Sequence, residues 1–83
     1  MARVEFQVSD SVLASLRCDP ARFSQELRLA AAVKWYERGM VSQGRAAEIA
    51  GISRAEFIEA LGRFGVSPFQ GNAQELITEA SND

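Results

Sequence analysis

The stretch Ser42-Gln43-Gly44-Arg45-Ala46-Ala47-Glu48-Ile49-Ala50-Gly51-Ile52-Ser53-Arg54-Ala55-Glu56-Phe57-Ile58-Glu59-Ala60-Leu61 decides the fold of this chain. It reads as a short helix over residues 46–50, led in by residues 42–45, then a turn at Gly51-Ile52-Ser53 and a second helix. Ser53 and Glu56 have the S-x-x-E spacing of a capping box, in which each side chain accepts from a backbone amide of the other residue. Gly51 can take the positive φ that reverses the chain. Ala47 is small where the second helix must cross above the first, and Ile49, Ile52, Phe57 and Leu61 form an apolar wedge between the two. Phe57, Ile58, Leu61 and Phe64 predict the buried face of the second helix, which ends at Gly65. Helix, tight glycine turn and helix in about twenty residues is the layout of a helix-turn-helix. Helical hairpins that bind no DNA share it.

Upstream of this unit, Asp19-Pro20 is a strong helix start, an acidic N-cap followed by proline at the first helical position. The helix is expected over residues 20–38, ending at Gly39. It carries two apolar stripes, Leu29, Ala32, Val33 and Tyr36 on one and Phe23, Leu27, Ala30 and Ala31 on the other. A helix on the surface of a monomer usually shows one stripe, so a second points to a second contact. Ser9-Asp10-Ser11 offers caps for a short helix over residues 12–17. At the start of the chain Val4, Phe6 and Val8 alternate with Arg3, Glu5 and Gln7, the period-two pattern of a half-buried strand. No other segment reads as a strand, and a lone strand leaves its backbone groups unpaired. The expected fold is therefore mostly α with one N-terminal β-strand, paired with its copy across a homodimer. Residues 1–65 would form the domain, with dimerisation in 1–39 through Val4, Phe6, Val8, Leu29 and Val33, and the helix-turn-helix in 42–65. Residues 66–83 read as an acidic C-terminal tail, because Glu75, Glu79 and Asp83 have no basic residue among them. Phe69, Leu76 and Ile77 are its candidate partner-binding residues.

Composition narrows the chemistry. The chain has 83 residues, enough for one domain and marginal as a single core. It has no histidine and one cysteine, Cys18. The commonest general base, the commonest metal ligand and the Ser-His and Cys-His nucleophile pairs are therefore missing. No carboxylates cluster at zinc-ligand spacing, so no metal, cofactor or enzyme activity is expected. A lone cysteine fits a reducing compartment. No apolar run reaches a membrane span of about 18 residues, and Glu5 interrupts any early apolar run, so neither export nor membrane insertion is expected and the cytoplasm is the expected location. The formal net charge is −2, so any DNA contact must come from a local patch.

In a helix-turn-helix the second helix enters the major groove with its first turns on base edges. Ser53, Arg54 and Arg63 lie on that helix; Arg54 is the candidate base reader, since its fork matches the two acceptors of guanine. Gln43 and Arg45 lie where the first helix crosses the backbone and are candidate phosphate contacts. Glu56 and Glu59 oppose phosphate on the same face. Two readings follow: a DNA-binding regulator, and a protein-interaction adaptor whose helix-turn-helix binds a protein partner and never meets DNA.

The run Gly44-Arg45-Ala46-Ala47-Glu48-Ile49-Ala50-Gly51-Ile52-Ser53-Arg54, with Phe57 and Leu61 after it, resembles the Gly-Lys-Ala-Ala-Glu-x-Ala-Gly-x-Ser-Arg core of uncharacterised prokaryotic protein family 175. Tyr36-Glu37-Arg38-Gly39-Met40-Val41-Ser42 resembles its Tyr-x-x-Gly-x-hydrophobic-Ser run, and Gly65-Val66-Ser67 the segment before the family's acidic tail. The resemblance implies a small VapB-like antitoxin of a type II toxin-antitoxin pair. Such a protein would bind its operator as a dimer and neutralise a PIN-domain ribonuclease toxin. The tail here is less acidic than the resemblance leads one to expect.

Overall fold

The computed structural model describes residues 1–68. Four helices follow one another: α1 (Asp10–Leu16), α2 (Pro20–Glu37), α3 (Gln43–Ala50) and α4 (Arg54–Arg63). Each starts where the sequence supplies a side-chain acceptor. Ser9, Asp19, Ser42 and Ser53 are the N-caps, and each accepts from a backbone amide three residues on. Pro20 stands in the first turn of α2, where its missing N–H leaves no bond unmade.

α2 is the platform. It packs on α3, α3 packs on α4, and α1 makes only a light contact with α2. The core is built from Ala32, Val33 and Tyr36 of α2, Ala46, Ala47 and Ala50 of α3, Phe57 and Leu61 of α4, and Val66. Leu29, Val41, Ile49 and Ile52 close it at the edge. The Tyr36 ring meets the Phe57 ring edge-on, with centroids 5.8 Å apart and planes at 90°, the geometry that aromatic quadrupoles favour. Ala46 and Ala47 have no side chain beyond Cβ, so α3 lies close against its neighbours at the centre of this layer.

The expected strand over residues 3–8 is not formed. Among the described residues there is no strand, and residues 1–9 have no regular structure. Val4 is 86% exposed and Phe6 63% exposed, while Val8 is half-buried. Alternation gives a segment two faces, but a strand exists only when a neighbour pairs its amides and carbonyls, and none of the described residues does so. The mostly-α part of the expected architecture stands; the N-terminal strand, and its pairing across a dimer, does not. The face of α4 is also corrected. Phe57 and Leu61 are fully buried, whereas Ile58 and Phe64 are 39% and 45% exposed. No helix among the described residues is long and apolar enough to cross a membrane.

Candidate nucleic-acid interface

The α3–turn–α4 unit depends on its turn. Gly51 closes α3 at φ 74°, its N–H donating to the Glu48 carbonyl at 3.1 Å while the Ile52 N–H reaches back to Ala47 at 3.1 Å. These two bonds make a Schellman turn. Arg28 of α2 completes the end of α3: its Nε donates to the Ile49 carbonyl at 2.7 Å and its Nη2 to the Glu48 carbonyl at 3.5 Å. A guanidinium thus meets the negative end of the α3 dipole. The sequence signal for this was slight, an arginine set between Leu27 and Leu29 on a helix that carries several other charged residues.

Beyond the turn, Ser53 Oγ accepts from the Glu56 N–H at 3.1 Å and Glu56 Oε1 accepts from the Ser53 N–H at 3.0 Å. The capping box expected from the sequence is present with both of its bonds. These bonds stabilise the carboxylate. Glu56 is therefore held below the ordinary glutamate range, first by the Ser53 backbone N–H and then by the Ser53 side chain. Its carboxylate is tied to the start of its own helix.

Arg54 is the first residue of α4 and is half-buried, and its Nε donates to Gln43 Oε1 at 3.2 Å. Gln43 lies inside. It is 4% exposed, and its Nε2 donates to the Pro68 carbonyl at 2.6 Å and to Tyr36 Oη at 3.0 Å. Tyr36 Oη itself donates to the Pro68 carbonyl at 2.6 Å. Gln43, expected as a surface phosphate contact, is thus a buried link between α2, α4 and the chain after α4. Periodicity placed Tyr36 on an apolar stripe; what its hydroxyl does could not be read there, because its partner Pro68 is 32 residues away.

Of the other candidate DNA contacts, Arg45 is exposed and paired with Glu48 at 2.7 Å, Ser53 is exposed at the cap, and Arg63 is exposed at the end of α4. The outward side of α4 carries Ala55, Ile58, Glu59 and Gly62. Arg45, Arg54 and Arg63 are balanced by Glu48, Glu56 and Glu59 within the unit. Among the candidate dimer contacts, Val33 belongs to the core of its own chain and Leu29 borders it, while Val4 and Phe6 are exposed. Val4, Phe6 and Val8 instead line a groove with Pro20, Phe23 and Leu27 of α2. Phe69, Leu76 and Ile77, and the short helix expected around the latter two, lie outside the described residues. Among the described residues no three acidic or cysteine side chains are grouped to hold a metal ion.

Comparison with known proteins places the chain. No solved structure matches it. A UPF0175 protein of Aeropyrum pernix is 39% identical to it over 61 residues, covering 74% of this chain and 67% of the relative. The family model for UPF0175, described as an uncharacterised protein family, matches residues 1–82. With a family model spanning nearly its whole length and a relative that shares more than a third of the aligned residues, the chain belongs to the uncharacterised protein family UPF0175.

Proposed function

We propose that this protein is a DNA-binding helix-turn-helix regulator that works as a homodimer. The observation that carries the reading is the α3–turn–α4 unit. A left-handed Gly51 sets the turn, a complete capping box starts α4, and an arginine stands at the first position of that helix. Helix-turn-helix proteins present base-reading side chains from that end of the second helix. The resemblance described above extends the proposal. The protein is an antitoxin of a type II pair, and its acidic tail, residues 66–83, engages a PIN-domain ribonuclease toxin.

The test is a pair of titrations at one fixed salt concentration, using a duplex selected from a random pool and a scrambled duplex. Arg54→Ala is expected to cost about 1 to 3 kcal/mol against the selected duplex and much less against the scrambled one. Arg45→Ala is expected to weaken both about equally, as a phosphate contact does. Affinity is expected to fall as salt rises, because bound counterions are released. Absence of binding to either duplex would sink the reading. One observation favours the adaptor alternative, the outward side of α4, where Ile58 and Glu59 are exposed within a unit of balanced charge. A protein partner captured through Ile58, with no DNA affinity at low salt, would establish it. The antitoxin extension is tested separately, by whether the full chain inhibits a PIN-domain ribonuclease encoded beside it and a chain ending at Pro68 does not.

A further inference from the structure

We propose that Gln43 is a positioning residue for base reading, holding the Arg54 guanidinium in place before DNA arrives. The inference rests on the reading of α4 as the DNA-contacting helix. Among the described residues Gln43 is the one buried polar or charged side chain. A buried amide costs stability unless it is hydrogen-bonded, and here both its nitrogen and its oxygen are. Nε2 donates toward the Pro68 carbonyl and Tyr36 Oη, which lie together on one side of it, and Oε1 receives the Arg54 Nε–H.

The orientation of this amide has a single consistent solution. Tyr36 uses its one hydroxyl hydrogen on the Pro68 carbonyl, so toward Gln43 it can only accept. Turning the amide over would set its oxygen against the Pro68 carbonyl and its NH2 against the arginine, which has only donors. Gln43 must therefore aim its oxygen at Arg54. The Tyr36 hydroxyl is fixed in turn by the packing of its ring on Phe57. The chain of contacts runs from the core, through Tyr36 and Gln43, to the side chain proposed to read a base.

The consequence concerns entropy. A surface arginine loses rotamer freedom when it docks on a base, and that loss weakens binding. An arginine already held through Nε loses less. The plane of its guanidinium is also set by the protein, so bidentate pairing is favoured over a loose phosphate contact. Gln43 thus supplies discrimination without touching DNA.

The experiment uses the full chain and two variants. Gln43→Met removes the Oε1 acceptor that Arg54 Nε uses, at similar length. Gln43→Glu keeps an acceptor for Arg54 and loses the donors to Pro68 and Tyr36. Each protein is titrated with the selected and scrambled duplexes, its melting temperature is measured, and exchange of the Arg54 Nε–H is followed by NMR without DNA. Gln43→Met is expected to lower the ratio of selected to scrambled affinity by roughly two- to tenfold and to speed the exchange. Gln43→Glu is expected to melt lower and yet keep the ratio and the slow exchange. If the ratio follows melting temperature in both variants, Gln43 is merely structural and the inference falls. Rapid exchange of the Arg54 Nε–H in the unaltered protein overturns it even if neither variant folds. If exchange behaves as expected but the unaltered protein does not distinguish the duplexes, the DNA reading itself has failed and takes the inference with it.

Discussion

A Cβ added at Gly51 would stand 3.0 Å from Arg28 Nη2 and 3.1 Å from its Cζ, on a backbone at φ 74°. Two separate costs follow from one substitution. The left-handed conformation strains any residue with a side chain, and the crowded guanidinium must give by a few tenths of an ångström against the end of α3. Gly51→Val or Gly51→Ala is expected to cost roughly 1 to 3 kcal/mol. The two costs can be separated by a double-mutant cycle. With Arg28→Ala already made, Gly51→Ala should cost less than in the native background, by about 0.5 kcal/mol or more. Strictly additive melting data would show that Arg28 does not feel the turn. Glu56 gives a second test at the same scale. Its pKa is lowered in the folded chain, so the folded state binds its proton less readily than the unfolded state does. Its stabilising effect is complete above the ordinary glutamate range and is lost as pH falls through the lowered value. Glu56→Ala should therefore melt below the native protein at neutral pH, and the gap should narrow as the solution is acidified below that range. A gap independent of pH would mean that the carboxylate does not cap the helix.

Within α4, Gly62 lies in the last turn, and beyond the backbone of its own helix no described residue comes within 4 Å of where a Cβ would stand. Its cost is conformational, since glycine leaves the unfolded chain freer than alanine does. Gly62→Ala is expected to stabilise the protein by about 0.5 to 1 kcal/mol, read as a higher melting temperature. A lower one would reveal a contact at this position. The α3–turn–α4 unit was legible in the sequence because its determinants are local. Ser53 and Glu56 find each other within one turn, and Gly51 adopts its conformation through bonds to Ala47 and Glu48. The strand was not legible in the same sense. Alternation at Val4, Phe6 and Val8 specifies faces, but pairing requires a second strand that no nearby residue announces. Ile58 misled for a simpler reason, since it stands one residue from Phe57 and so about 100° round the helix from it. Gln43 could not be read correctly at all. The residues that hold it inside, Tyr36 and Pro68, are 7 and 25 positions away, and only the fold brings them together.

Among the described residues, half of the ten buried apolar ones are alanines: Ala32, Ala46, Ala47, Ala50 and Ala60. Each buries little area, so the described residues of one copy hold a small core for their number. Much larger apolar side chains lie outside it. Val4, Phe6 and Leu16 are more than half exposed, and Leu27 is 39% exposed. Val4, Phe6 and Leu27 line the groove between the N-terminal segment and α2, together with Val8 and Phe23. On α2 this groove occupies the stripe opposite Ala32, Val33 and Tyr36, so one helix serves the core on one side and the groove on the other. Covering the groove with a second copy would add the burial that the alanine-rich core lacks, and stability would then depend on concentration. The proposed homodimer therefore predicts a melting temperature that rises with protein concentration and a two-chain species in sedimentation. Phe6→Asp and Leu27→Asp place charge where the second copy would desolvate it, and both residues lie outside the buried core. Either variant is expected to sediment as a single chain, to melt at a lower temperature that no longer varies with concentration, and to keep its helical content. A variant that remains a dimer would move the interface away from this groove. A native protein that sediments as one chain at every concentration would remove the homodimer from the proposed function, and with it the expectation of paired half-sites in the DNA.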